Sequence, residues 1–371
     1  MIVSHALQSL IDISRRYGSD ARFVLVGGGN TSVKEGRDLY VKASGCALGT
    51  IDERGFVRMS LDAMDAIWTK QYPQDTAERE KAVLADMMAA RRPGETARPS
   101  VEALLHAFIP STYVVHLHPA MVNGLTCALS GHEAMRALFP DALWIPLVNP
   151  GYILAKTVRD ALEAYRARRG GFPQVFFLQN HGIFAGSSTI EGIVHIFEAV
   201  MDQLATHIVR KPVFTETRPD ARRMAITLKA LERFYRGMRI LAMANRELDS
   251  RLIDREAFYP ISSAYTPDHI VYSGFAPLWI DQQVFSSADP EEAIVGLCRK
   301  FEEDHQVKAK VIAVQNTAAF ATSENALTLF VDTLKVAAFT ESFGGPLFMD
   351  RDQIDFIRNW EVESYRAKQA T

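Results

Sequence analysis

The chain has 371 residues, with 41 Lys and Arg against 44 Asp and Glu, a formal net charge of −3 and 48% hydrophobic residues. That composition supplies a globular core and excludes the basic excess a nucleic-acid binder needs and the polybasic tail that holds a protein to an anionic membrane. The three cysteines, Cys46, Cys127 and Cys298, are odd in number, far apart and form no CxxC pair, so no disulfide framework or thiolate metal site is expected. The N-terminal stretch mixes His, Asp and Arg into its apolar positions, unlike a signal peptide, and no run approaches the roughly 18 apolar residues of a membrane span. The expectation is a cytoplasmic protein.

Apolar residues from Val3 to Ile13 recur at helical spacing and predict a helix ended by Gly18. Val24-Leu25-Val26 predicts a strand that runs into Gly27-Gly28-Gly29-Asn30-Thr31-Ser32, and RDLYVKASG a second strand that ends at Gly45. Helices are predicted over 60–70, 76–92 and 101–110, and a strand over TYVVHLHP (112–119). A helix at MVNGLTCAL, a strand at ALWIPLVNPGY, a helix at VRDALEAYRARR, a strand pair over QVFFLQNHGIFAGS and a long helix from Ser188 follow. This alternation predicts an α/β fold with a layered core. Pro212 to Pro219 marks a boundary between a first domain over 1–211 and an α/β extension over 220–371, which opens with a helix predicted across MAITLKALERFYRGMRILAMANRELD.

Gln179-Asn180-His181-Gly182-Ile183-Phe184-Ala185-Gly186-Ser187 reads like Gln315-Asn316-Thr317-Ala318-Ala319-Phe320-Ala321-Thr322-Ser323, each after an apolar strand and before a helix. Either this is a degenerate internal repeat, with Thr317 in place of His181 and no second metal site, or two short strand–turn–helix segments coincide.

His116 and His118 fall at i and i+2 of a strand, which projects both imidazoles to one face and supplies half of a four-coordinate shell. The same pair also fits polar residues facing solvent at a strand end. His181, in Asn180-His181-Gly182 at the end of VFFLQ, is a candidate third ligand or a plain turn residue. Glu102 lies in the first turn of a helix for which Ser100 is a candidate N-cap, which suits either the helix dipole or a general acid and base beside a cation. His106, one turn on, is a second partner of that site or a buried core residue. The glycine loop lacks both the G-x-G-x-x-G fingerprint and the GK[ST] of a P-loop. Turns at 28–32, 44–45 and 100 would cradle one phosphate if the fold brings them together; each alone also reads as an ordinary turn.

Taken jointly, GGGNTS (27–32), ASG (43–45), PSVE with His106 (99–106), HLHP (116–119) and NHG (180–182) resemble the class II aldolase/adducin family, over roughly residues 5 to 210. TPDHIVYSG (266–274) and NWEVESYRAKQ (359–369) look like the long forms, the aldolase part of fused rhamnulose-1-phosphate aldolase/alcohol dehydrogenases; a dehydrogenase half is not expected in a chain that stops at Thr371. The resemblance implies a layered α/β/α fold, Zn²⁺ or another divalent transition metal on His116, His118 and His181, and Glu102 as the acid/base carboxylate. It places Gly28, Gly29, Asn30, Ser44, Gly45 and Ser100 around the phosphate of a small sugar phosphate. Many members carry a second serine where this chain has Val101. The implied activity is aldol cleavage of a ketose 1-phosphate by a cytoplasmic homo-oligomer. Epimerisation, decarboxylation or dehydration at the same metal, or a non-catalytic adducin-like interaction module, are the alternatives.

Overall fold

The structure is a computed structural model that describes residues 4–360; Val3, the outer ends of both predicted domains and residues 361–369 of the NWEVESYRAKQ segment lie outside the described residues. Contacts gather into two compact units, one of residues 4–126 and 131–207 together with 359 and 360, the other of residues 127–130 and 208–358.

In the first unit, α1 (His5–Gly18) opens from the Ser4 cap, whose side chain accepts the Leu7 N–H. β1 (Asn30–Glu35), β2 (Asp38–Lys42) and β3 (Phe56–Ser60) form a meander, followed by α2 (Leu61–Ile67), α3 (Thr76–Ala89) and α4 (Ala103–Phe108). Next come β4 (Tyr113–Leu117), α5 (Ala120–Thr126), α6 (Gly131–Leu138), β5 (Leu143–Ile145), α7 (Tyr152–Arg169), β6 (Val175–Leu178), β7 (Gly182–Ser187) and α8 (Ile190–Ala205). The strands pair in the order β3-β2-β1-β4-β7-β6-β5, antiparallel except for β5 with β6. β4 sits at the centre, and all five of its residues are buried, which is why its sequence reads as a near-continuous apolar run. One face of the sheet packs Leu39, Val41, Val114, Phe176 and Phe184 against Leu104 and Leu105 of α4 and Leu154, Val158 and Leu162 of α7. The opposite face carries α1, α5 and α8. This is the three-layered α/β/α arrangement.

The second unit contains α9 (Ala221–Phe234), β8 (Leu241–Met243), α10 (Arg246–Arg251), α11 (Arg255–Phe258), α12 (Pro267–Tyr272), β9 (Leu278–Ile280), α13 (Pro290–His305), β10 (Val311–Val314), β11 (Ala318–Ala321), α14 (Glu324–Thr340) and all but the last residue of α15 (Arg351–Asn359). Its sheet runs β8-β11-β10-β9.

Three expectations are corrected. Phe23 to Val26 form no strand: the amides of Phe23 and Val24 bond back to the Asp20 carbonyl, and Phe23 packs edge-on against Tyr17 and Phe197. Of this run only Phe23 joins the aromatic cluster, Val26 turns left-handed with φ 51, which breaks an extended strand, and pairing starts at Asn30. The long helix predicted from Met224 to Asp249 ends at Phe234, and Leu241–Met243 join β11 instead; the strand partner overrides helical spacing. Glu102 is the N-cap of α4 and not a first-turn residue, and Ser100 lies two positions before it.

α1 lies tightly against residues 48 and 49. A Cβ on Gly18 would stand 2.2 Å from the Gly49 nitrogen and 2.4 Å from the Leu48 carbonyl carbon. Both are backbone atoms, so Gly18→Ala is expected to cost about 1–3 kcal/mol and to lower the thermal midpoint followed by circular dichroism. An unchanged midpoint would show that this approach is looser than described.

Candidate metal centre

The register of the central strands builds the site. Asn30 of β1 pairs with His116 of β4, and His116 with Phe184 of β7, so the three side chains form a row on the face that carries α4. His116 is fully buried and its ring stacks on Phe184, with centroids 3.9 Å apart. Its Nδ1 lies 3.0 Å from the Ile183 carbonyl oxygen. A carbonyl only accepts, so Nδ1 carries the proton and Nε2 presents a lone pair. His118 follows the last residue of β4, and its Nε2 lies 2.9 Å from that of His116.

His181 arrives from the β6–β7 turn. Asn180 before it adopts a left-handed conformation, φ 53, and donates its N–H to the Thr126 carbonyl, while the His181 N–H bonds to Leu178. The His181 Nε2 comes within 3.4 Å of the His116 Nε2. One ring nitrogen from each histidine lies within 4.8 Å of the others, and among the described residues this is the one such group of potential metal ligands. Three imidazole nitrogens converging on one point, with the tautomer of the buried one set by a backbone carbonyl, fit a divalent transition metal with a position left for a further ligand.

Glu102 caps α4 without bonding the helix with its side chain. The carboxylate turns to the histidines instead, with Oε1 3.3 Å from His116 Nε2 and 3.6 Å from His181 Nε2. Ser100 Oγ accepts the Glu102 N–H at 3.2 Å and also bonds Asn30 Nδ2, which stands 3.4 Å from Glu102 Oε2. Asn30 Oδ1 is buried and, among the described residues, accepts from no donor. The Ser44 N–H bonds to Arg98, the Ser100 N–H bonds to Lys42, and Ala43 bridges Pro99, so the turn of Ser44 and Gly45 is stitched to the segment before Glu102. Gly29 presses against the carbonyl of His116, which a Cβ would approach to 3.1 Å, and Gly28 is held by its N–H to Leu25. Asn30, Ser100, Glu102 and the three histidines therefore meet directly, Gly29 reaches them at the His116 carbonyl and Ser44 is tied to the segment before Ser100, whereas Gly28 bonds back to Leu25 and Gly45 follows Ser44 with a left-handed φ of 86. Val101 is the exception: it lines a small crevice with Val83, Leu84, Met87 and Leu104.

His106 stays behind this group. Its Nδ1 meets Ser32 Oγ at 2.7 Å, and burial pushes the ring down to about 3 against the opposing pull of Glu102, so the imidazole is neutral. Sequence reasoning placed Ser32 in the glycine turn as an anion donor, whereas it is buried in β1 and bonds His106, and it passed over Phe184 and Lys42 as neighbours of the site. Lys42 is 5% exposed, ends β2 directly before Ala43-Ser44-Gly45, and adds its charge to those that keep His106 neutral. A lysine closing the apolar strand DLYVK was the available signal.

A Cβ on Gly182 would lie 2.5 Å from the Leu117 carbonyl oxygen and 2.7 Å from His118 Cδ2. Gly182→Ala must displace both β4 and a histidine ring, so affinity for a divalent transition metal in a competition titration is expected to fall by about 10–100-fold with the fold retained. Unchanged affinity would mean that His118 is not held where it is described.

The model of the class II aldolase and adducin N-terminal domain matches residues 8–208. A curated relative, the uncharacterized oxidoreductase YuxG of Bacillus subtilis (strain 168), is 26% identical over 302 residues, which is 74% of this chain. The chain spans 42% of that relative's length. Among solved structures, the N-terminal class II aldolase domain of a conserved protein from Thermoplasma acidophilum aligns at 28% identity and a TM-score of 0.47, over 56% of this chain and 96% of its own. An L-fuculose 1-phosphate aldolase aligns at 19% identity and a TM-score of 0.38, over 56% of this chain and 86% of its own. The domain model covers more than half of the chain, which therefore belongs to the class II aldolase and adducin N-terminal domain family.

Proposed function

We propose that this chain is a lyase that cleaves a ketose 1-phosphate, of the rhamnulose or fuculose type, to dihydroxyacetone phosphate and an aldehyde. The observation that carries the reading is the carboxylate of Glu102, 3.3 and 3.6 Å from two of three converging imidazole nitrogens. An interaction module has no use for an acid/base group held beside a cation site. His116, His118 and His181 would hold the metal, with zinc favoured by three imidazoles. When bound, such an ion supplies Lewis-acid stabilisation of the negative charge that develops on the substrate oxygens.

The side chains then divide the work. Asn30 and Ser100, with the backbone at Gly28, Gly29, Ser44 and Gly45, receive the phosphate and fix the sugar's orientation. The unused acceptor on Asn30 Oδ1 suits a substrate hydroxyl. As the C3–C4 bond breaks, its electron pair stays with the three-carbon fragment, the C4 hydroxyl gives up its proton to water and C4 becomes the aldehyde carbon. Glu102 delivers a proton to C3, completing dihydroxyacetone phosphate. Because position 101 is a valine, which lines a crevice beside Val83, Leu84 and Met87, the cradle rests on one serine hydroxyl before the glutamate. The proposed partner is thus a small sugar phosphate, acted on by a homo-oligomer.

Glu102→Gln keeps the shape of the side chain and removes its proton chemistry. It is expected to retain metal while release of dihydroxyacetone phosphate from L-fuculose or L-rhamnulose 1-phosphate, read by a coupled assay, falls by about 10²–10⁴-fold. A wild-type rate in the variant would remove Glu102 from the reaction. Turnover by the unaltered protein of pentulose phosphates or sugar-acid phosphates, without cleavage of ketose 1-phosphates, would replace the aldolase by an epimerase or decarboxylase.

A further inference from the structure

The second unit repeats the wiring of β4 to α8. Its strand order β8-β11-β10-β9 matches β4-β7-β6-β5, with the same sequence of antiparallel, antiparallel and parallel pairings. The two edge strands even share a sequence, Leu143-Trp144-Ile145 and Leu278-Trp279-Ile280. Registers agree residue by residue: Phe176 faces Phe184 as Ile312 faces Phe320, and Ile145 lies beside Leu178 as Ile280 lies beside Val314.

The hydrogen bonds outside the ladders also repeat. Gln179 and Gln315 donate their N–H groups to Ile145 and Ile280, and their side-chain oxygens accept from Leu147 and Gln282. Asn180 and Asn316 both adopt left-handed φ, 53 and 51, and bond to the carbonyls of Thr126 and Leu252. Thr189 and Ser323 cap the helices that follow. α9 and α13 cover Leu278, Ile312 and Phe320 as α4 and α7 cover Leu143, Phe176 and Phe184. Two short segments that coincide by chance would share a turn, not a set of registers, caps and packing layers.

The register then identifies counterparts for the metal centre. Phe184 pairs with His116, and Phe320 pairs with Ala242. Two residues on, Ala244 stands where His118 stands, and Thr317 stands where His181 stands. We infer that the second unit is a degenerate copy of the metal-bearing half of the first, its metal site vacated by Ala242, Ala244 and Thr317. Alanine offers no donor atom and threonine no imidazole, so among the described residues the copied positions hold no counterpart of the three-histidine group. The inference rests on the proposed centre only in naming what was lost.

Restoring the ligands tests it. In a His116→Ala background, the variant Ala242→His/Ala244→His/Thr317→His is titrated with cobalt(II) and followed by visible absorption. The expected result is about one equivalent bound beyond the parent, with the spectrum of nitrogen-coordinated cobalt. The same triple variant with His116 intact should bind about two, so failure of the first site and failure of this inference are read separately. A folded triple variant that binds no more than its parent overturns the inference. Should the triple variant not fold, Ala244→His/Thr317→His is expected to bind cobalt more weakly but above its parent, and a folded pair that does not would overturn it equally. A crystal structure of the unaltered protein in which Ala242 does not pair with Phe320 would do so without any variant.

Discussion

The hydrogen bond from His116 Nδ1 to the Ile183 carbonyl, 3.0 Å long and sealed from water, sets the terms for everything around it. An imidazole at the centre of a buried strand is costly unless both ring nitrogens have partners. The carbonyl satisfies one nitrogen and leaves the other pointing at His118, His181 and Glu102. Because Ile183 lies on β7, the same bond ties the ring to the strand that begins at Gly182, directly after His181. The two chain segments that bring the ligands are thus locked together by the geometry that orients the first of them. Gly182 permits the approach, and the stack of His116 on Phe184 closes the site from the core side.

Much of this was legible before folding. The alternation in Val114-Val115-His116-Leu117-His118-Pro119 predicts two imidazoles on one face, because side-chain direction in a strand is a local property. The convergence of the glycine loop, the Ser44 turn and Ser100 is not local. It depends on bonds between residues more than fifty positions apart, Ser44 to Arg98 and Ser100 to Lys42, and no spacing rule reports them. Glu102 was legible by type but not by position: the first-turn reading gave way to a cap whose carboxylate leaves the helix for the histidines. The apolar run at Phe23 to Val26 misled for a related reason, since Phe23 serves an aromatic cluster and Val26 turns left-handed, neither of which apolarity alone reveals.

The second unit shows the same division between local and tertiary information. Gln315-Asn316-Thr317 resembles Gln179-Asn180-His181 by eye, because the left-handed turn constrains the residue types that fit it. The counterparts of His116 and His118 were hidden, since Leu241-Ala242-Met243-Ala244 carries good helix formers and reads as a continuation of α9. Only pairing with β11 makes it a strand and aligns Ala242 with His116. Loss of ligands erases the residues that would have announced the relationship, while the registers and packing layers that stability requires persist. Among the described residues no helix is long and apolar enough to cross a membrane.

The account stands on His116, His118 and His181 holding a metal at one point. The most direct test is the metal content of the purified protein, the unaltered chain beside His116→Ala, by inductively coupled plasma mass spectrometry. About one zinc or other divalent transition metal per unaltered chain, absent from the folded variant, is the predicted result. A folded, unaltered protein that holds no such metal even after addition of zinc would contradict it, and would leave Glu102 beside three histidines without the ion that gives their arrangement its chemistry.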